Sequence, residues 1–248
     1  MSSSESSFIA HLLELRSRLL NSAIVLAVAF LCLMPWSSKL YALLAQPLLA
    51  KLPQGGQMIA TDVTTPFFVP LKVTMMAAFL IALPYILYQA WRFVAPGLYA
   101  HEKKLVLPLI VASMLLFFCG MAFAYFVVFP VVFGFIVASA PHGVAVMTDI
   151  DKYLSFVLGM FMAFGITFQV PVIVVVLVRM GVITVAKLRE IRPYAFVGAF
   201  VIGAIFTPPD VVSQFMLAMP LWLLYEAGIL VAAWVVKAPA RSSSSDPE

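Results

Sequence analysis

An all-α membrane protein with six transmembrane helices is the fold class this sequence predicts, and three observations predict it. Charged residues make up only 10% of the 248 residues. They fall almost entirely between long apolar blocks, and the chain is 64% hydrophobic with a mean hydropathy of +1.08. The blocks lie near residues 20–36, 73–91, 105–135, 153–178, 193–206 and 211–236, and most reach the roughly 20 residues that cross a bilayer core. Six spans leave no room for a separate soluble domain, so residues 1–248 are expected to form one membrane domain. The tail over about 238–248, with its serine run, is expected to be disordered.

Residues 8–19 predict a helix leading into the first span. Phe8, Leu12, Leu15 and Leu19 recur on one face, while His11, Glu14 and Arg18 share another. No basic segment opens the chain and no small-residue cleavage site follows the first apolar block, so a cleavable signal is not expected. After Trp36 an amphipathic stretch (Leu40, Tyr41, Leu43, Leu44, Leu48) runs until Pro47 and Pro53 break it and Gly55-Gly56 turns the chain. It should lie along the outer interface as a cap. The second span carries Pro84 and ends at Trp91 and Phe93, whose rings suit the headgroup zone.

The third span is longer than a membrane is thick, so it must tilt, kink or project, and Pro108 and Pro130 offer kinks. The fourth reads as continuous over 153–178. Between Arg192 and Asp210 the fifth span has too few residues for a full crossing, which calls for local thinning or a crossing shared with its neighbour. The sixth runs from 211 to 236. No internal repeat is visible.

Charge sets the orientation. Eleven of the fifteen basic residues lie in the N-terminal segment, the 92–104 and 179–192 loops and the tail. The opposite loops carry only Lys39, Lys51, Lys72 and Lys152. Positive-inside bias therefore puts both termini in the cytoplasm, as an even number of spans requires. The net charge of +4 belongs to these loops and does not indicate nucleic-acid binding. Cys32 and Cys119 sit inside apolar blocks and read as small hydrophobes.

Catalytic readings are weak. No phosphate-binding Gly-rich loop and no His-Glu-x-x-His motif occur, and His11, His101 and His142 are scattered. Neither a metal, a cofactor nor an enzyme activity is expected. Attention turns to the few polar groups. Glu14 is either half of an i,i+4 surface pair with Arg18 or a ligand anchor. Glu102 is either a carboxylate held by Lys103 and Lys104 or a second anchor at the same depth. Together the two could hold a ligand with two cationic groups. Gln169 sits mid-span, where pairing with a neighbouring helix competes with a functional role. Glu226 lies about halfway along the sixth span, where a carboxylate costs about 2.5–3.5 kcal/mol on insertion scales. It is either protonated, interfacial or functional. Asp210 either caps the last helix or meets a partner.

Four separated motifs carry a family resemblance. His11-Leu-Leu-Glu14-Leu-Arg16 precedes the first span, and Phe93-x-x-Pro-Gly-Leu-x-x-His-Glu102 follows the second. Met121-Ala-Phe-Ala-Tyr-Phe126 and Thr207-Pro-Pro-Asp210-Val-Val-Ser-Gln214 complete the set. In this order, over nearly everything from Phe8 to Val236, they resemble TatC, the multi-spanning receptor subunit of the twin-arginine protein translocase.

The resemblance implies a non-enzymatic receptor in the bacterial inner membrane, with its helices arranged as a concave bundle. It implies that Glu14 and Glu102, with Arg16 and Phe93, receive the arginine pair of signal peptides on folded precursors. It implies that Thr207 and Gln214 contact the single-span partners TatA and TatB, and that Pro47 and Asp210 act through the scaffold. Self-association and a proton-gradient energy source come with the family. Many relatives carry Glu where this chain has Gln169, and Gln cannot carry a proton. A small-solute secondary transporter is the rival class; it calls for inverted repeats and a midplane ionisable cluster, and solute uptake would reveal it. A purely structural membrane protein is a third, and it predicts no ligand sensitivity at Glu14 or Glu102.

Overall fold

The computed structural model describes residues 3–49, 58–94, 106–138, 148–206 and 211–237. Ten helices account for nearly all of them. A single helix, α1 (Ser3–Leu33), joins the expected leading helix to the first span without a break. It needs no break because no Gly or Pro interrupts its 31 residues. Leu19, Leu20, Ile24, Val28 and Leu31 project outward from it, an apolar surface suited to acyl chains rather than water. Met34-Pro35-Trp36 makes one 3₁₀ turn into α2 (Ser37–Leu49). The helix thus runs through Pro47 to Leu49 and is not broken at Pro47, whose side chain lies outside the described set. Leu40, Tyr41 and Leu44 pack on Val69, Val73 and Leu154, so α2 lies across the start of the next span and of α6 below.

The central element is α3 (Thr65–Val94), which packs against α1, α2, α4 and α6. Pro70 and Pro84 both stand within it. The third span is α4 (Val106–Phe123), a five-residue π turn (Ala124–Val128) and α5 (Phe129–Ala138). The expected kink sites resolve differently. Pro108 stands in the first turn of α4, where its missing N–H has no intrahelical partner to lose. The irregularity falls just before Pro130, where the Phe129 N–H reaches back five residues to the Ala124 carbonyl. A π turn there relieves the clash that Pro130 would make with the preceding turn.

The fourth span, expected to be continuous over 153–178, is two helices: α6 (Ile150–Thr167) and α7 (Val170–Arg179). Pro171 cannot donate to Thr167, and the chain closes α6 with a tight bond from Gln169 N–H to the Ile166 carbonyl (2.9 Å). Gly181, at φ +70°, ends α7: its N–H bonds Val178 O and the Val182 N–H bonds Leu177 O, both at 3.1 Å, the paired closure that a left-handed glycine permits. A short α8 (Val185–Glu190), capped by Thr184, leads to α9 (Arg192–Phe206) and α10 (Val211–Lys237). At 15 residues, α9 is about 22 Å long, the shortened span that the sequence predicts. Among the described residues, five helical stretches are long and apolar enough to cross a membrane, and Arg192–Ile205 is a shorter sixth.

The largest buried cluster joins α5, α6, α9 and α10 around Phe129, Met160, Phe161, Phe164 and Leu217. At the crossing of α4 and α6 the backbones meet closely. A Cβ on Gly120 would stand 2.5 Å from the Phe164 carbonyl oxygen, and one on Gly165 would stand 2.5 Å from the Phe117 ring. Met58–Ile59 and Thr148–Asp149 form a two-residue parallel pairing that ties the segment before α3 to the start of α6.

Candidate functional site

Residues 11, 14 and 18 are one turn apart on α1, and residues 85, 89 and 93 likewise on α3; where α1 begins and α3 ends, these two stripes face each other. Arg18 Nε donates to Glu14 Oε1 at 3.0 Å, and Nη2 donates to the same oxygen. Arg18 Nη1 donates to Gln89 Oε1 at 3.2 Å, and Gln89 Nε2 donates to the Tyr85 hydroxyl at 2.6 Å. Beside this chain the His11 and Phe93 rings stack, centroids 4.3 Å apart. Arg16 is exposed on the neighbouring face of α1. The outcome is a polar patch with one partly exposed carboxylate, fixed to a rigid pair of long helices. Glu102 lies outside the described residues, as do Thr207 and Asp210.

Gln169 occupies the break between α6 and α7. Its Nε2 donates to the Ser113 carbonyl of α4 at 2.9 Å, and the Ser113 hydroxyl accepts from Trp91 Nε1 at 3.0 Å. Ser113 is fully buried. Three spans are therefore pinned at one level by a Trp–Ser–Gln node, while Gln169 Oε1 is buried with no partner among the described residues. The sequence singled out Gln169 and suggested the headgroup zone for Trp91, which is instead buried; nothing in it joined Gln169 to Ser113 and Trp91, 56 and 78 positions away.

Glu226 is not alone on α10. Arg192 Nη2 donates to its Oε2 at 2.6 Å, which sets Glu226 level with the first residue of α9. Next to it the Tyr225 hydroxyl donates to the Leu188 carbonyl at 2.8 Å. Gln214 Nε2 donates to the Phe200 carbonyl at 3.1 Å, joining α10 to α9 near the opposite end.

At that opposite end a second polar group appears that the sequence did not flag. Asp149 caps α6 by accepting from the Asp151 and Lys152 N–H groups, and also from the Thr61 N–H (3.2 Å) and hydroxyl. These bonds hold its carboxyl down at about 2, the Thr61 hydroxyl contributing most. Lys72 Nζ donates to Asp151 Oδ1 at 2.6 Å and to Ser155 Oγ at 3.0 Å. The cue was the Asp-x-Asp-Lys run opening α6, a capping pattern; its partners on the 61–72 stretch are joined to it only by folding. An apolar cavity of about 520 Å³ opens between α1, α3 and α6, lined by Leu26, Phe30, Met75, Met76, Phe79 and Met162. No cluster of His, Cys, Asp and Glu suited to a metal occurs among the described residues.

The family described as Sec-independent protein translocase protein (TatC) matches residues 10–220. The chain is 54% identical over 228 residues to the Sec-independent protein translocase protein TatC of Escherichia coli K12, covering 92% of this chain and 88% of that one. It is 50% identical over 239 residues to its namesake in Azotobacter chroococcum mcd 1, covering 96% and 94%. In three dimensions it matches a crystal structure of the twin-arginine translocase receptor TatC in DDM, with a TM-score of 0.81 and 40% identity. That match covers 90% of this chain and 99% of the other.

Proposed function

The chain belongs to the TatC family, and we propose from that premise that it is the receptor and core subunit of a twin-arginine translocase. It binds the arginine pair of signal peptides on folded precursors at the cytoplasmic face of a bacterial inner membrane. Both termini lie in the cytoplasm, in keeping with the eleven basic residues of one set of loops. The observation that carries the reading is Glu14: a partly exposed carboxylate, beside stacked His11 and Phe93, at the end of two packed helices on that face.

A carboxylate suits this ligand because a guanidinium keeps its charge and binds as a planar fork, while an ammonium offers a hydrated point charge. Glu102 supplies the second acceptor, with Arg16 and Phe93 shaping the approach. The apolar segment that follows the arginines in a signal peptide fits the cavity between α1, α3 and α6, whose lining is Leu, Phe and Met apart from Lys72 and Gly159. Thr207 and Gln214 contact the TatA and TatB partners, where hydrogen bonds between helices contribute about 0.6–2 kcal/mol each. Pro47 and Asp210 act through the scaffold. The proton gradient supplies the energy, and copies of the chain associate.

Photo-cross-linking from positions 14 and 102 to an arginine-pair signal peptide tests the reading. Both positions should label the peptide. Glu102→Gln should weaken cross-linking while membrane insertion and complex assembly persist. Full labelling of the peptide by a stable Glu102→Gln variant counts against the proposed role.

A further inference from the structure

Glu14 already carries a guanidinium from its own helix, that of Arg18 one turn on. The Nε and Nη2 groups along one edge of Arg18 converge on the single oxygen Oε1, and no described residue donates to Oε2. The side chain of Glu14 is 37% exposed, that of Arg18 only 16%. Arg18 thus stands on the protein side of the carboxylate and leaves the outward side open.

The other edge of Arg18 is also held. Its Nη1 bonds Gln89 Oε1, and Gln89 is buried, 8% exposed. The amide oxygen of Gln89 points at Arg18 because its nitrogen is committed to the Tyr85 hydroxyl. Arg18 therefore has two partners, an anionic one that a ligand can reach and a neutral one that it cannot.

We infer that Arg18 is an internal occupant of the Glu14 receptor carboxylate and so a specificity-determining residue. An incoming cation must take over part of the charge that Arg18 now neutralises, and the Gln89–Tyr85 pair retains Arg18 as it yields. A ligand guanidinium can replace the two N–H bonds of Arg18 with two of its own. A ligand ammonium exchanges them for a point contact and gives up more hydration. The competition therefore costs lysine more than arginine, and Arg18 sharpens the choice between them. This inference rests on the receptor reading of Glu14 proposed above.

The test uses the full chain in lipid nanodiscs and two fluorescent synthetic signal peptides, one with an Arg-Arg pair and one with Lys-Lys. Arg18→Gln should tighten Arg-Arg binding about two- to fivefold, the range expected when a partly exposed ion pair is released. It should tighten Lys-Lys binding more, so that the ratio between the peptides falls. Both changes should vanish in a Glu14→Gln background. Gln89→Glu keeps Arg18 but offers it a second carboxylate, and it should produce the same tightening if Arg18→Gln does not fold.

Weaker or unchanged binding in a folded Arg18→Gln or Gln89→Glu chain, with Glu14→Gln still impaired, overturns the inference and leaves the receptor reading standing. An unchanged peptide ratio does the same, because a merely structural Arg18 would alter both peptides alike. Undiminished binding by Glu14→Gln removes the receptor reading and the inference together.

Discussion

Arg192, the first residue of the shortest span, is joined to Glu226 in the interior of α10 through a 2.6 Å hydrogen bond. The carboxylate that looked costly in the sequence is thereby neutralised, and the short helix is fastened to the long one. Glu226 retains 18% of its side-chain exposure and Arg192 retains 42%. Each also has one buried polar atom, Oε1 and Nε respectively, without a partner among the described residues. The pair is thus held by one strong bond rather than a full fork.

Removing one member should cost more than removing both. Arg192→Leu leaves a half-buried carboxylate without its cation and should lower stability by about 1–3 kcal/mol. The double variant Arg192→Leu with Glu226→Leu should recover most of that loss, because no unpaired charge remains. Thermal unfolding of the purified chains in detergent measures the cycle. A double variant as unstable as the sum of its singles would show that the two residues act independently.

Gly120→Ala should destabilise by about 1–3 kcal/mol, because its Cβ would meet the backbone carbonyl of Phe164, which cannot swing aside. Gly134→Ala is the control. Beyond its chain neighbours and its own turn of helix backbone, no heavy atom lies within 4 Å of the point its new methyl group would occupy, and alanine favours a helix over glycine by about 1 kcal/mol. Unfolding of the two variants in parallel should move in opposite directions.

Asp149 predicts acid sensitivity at the end of the bundle where α6 begins. Its carboxyl lies at about 2 rather than the ordinary 3.8, so folding favours the charged form. The contribution is whole above pH 3.8 and disappears as pH falls through about 2. Melting temperatures of the parent chain should therefore fall over that window. Asp149→Asn should melt lower than the parent at neutral pH and lose this part of the slope. An identical slope in the variant would place the acid sensitivity elsewhere.

Much of this molecule was legible in its sequence for a simple reason. In a bilayer every backbone group must be satisfied within its own helix, so long uncharged runs leave little freedom. The third span's excess length and the fifth span's shortness were both readable as residue counts, and Glu14, Arg18 and His11 shared a face by spacing alone. The proline signals were harder. Pro171 divided a span that hydropathy reads as continuous, whereas Pro47 did not end its helix where the sequence suggested. What a proline does depends on whether a neighbouring turn can absorb the lost bond, and hydropathy carries no record of that.

By itself the sequence determined which segments are apolar enough for the membrane, which loops between them are basic, and which few side chains remain polar. Those properties follow from local composition, because each residue meets the bilayer wherever its helix places it. Only the tertiary structure decided which polar groups meet: Gln89 with Arg18, Ser113 with Gln169, Arg192 with Glu226, Thr61 with Asp149. These partners are 34 to 88 positions apart. Their encounters depend on helix crossings set by close contacts such as Gly120 on Phe164, and no one-dimensional pattern encodes a crossing.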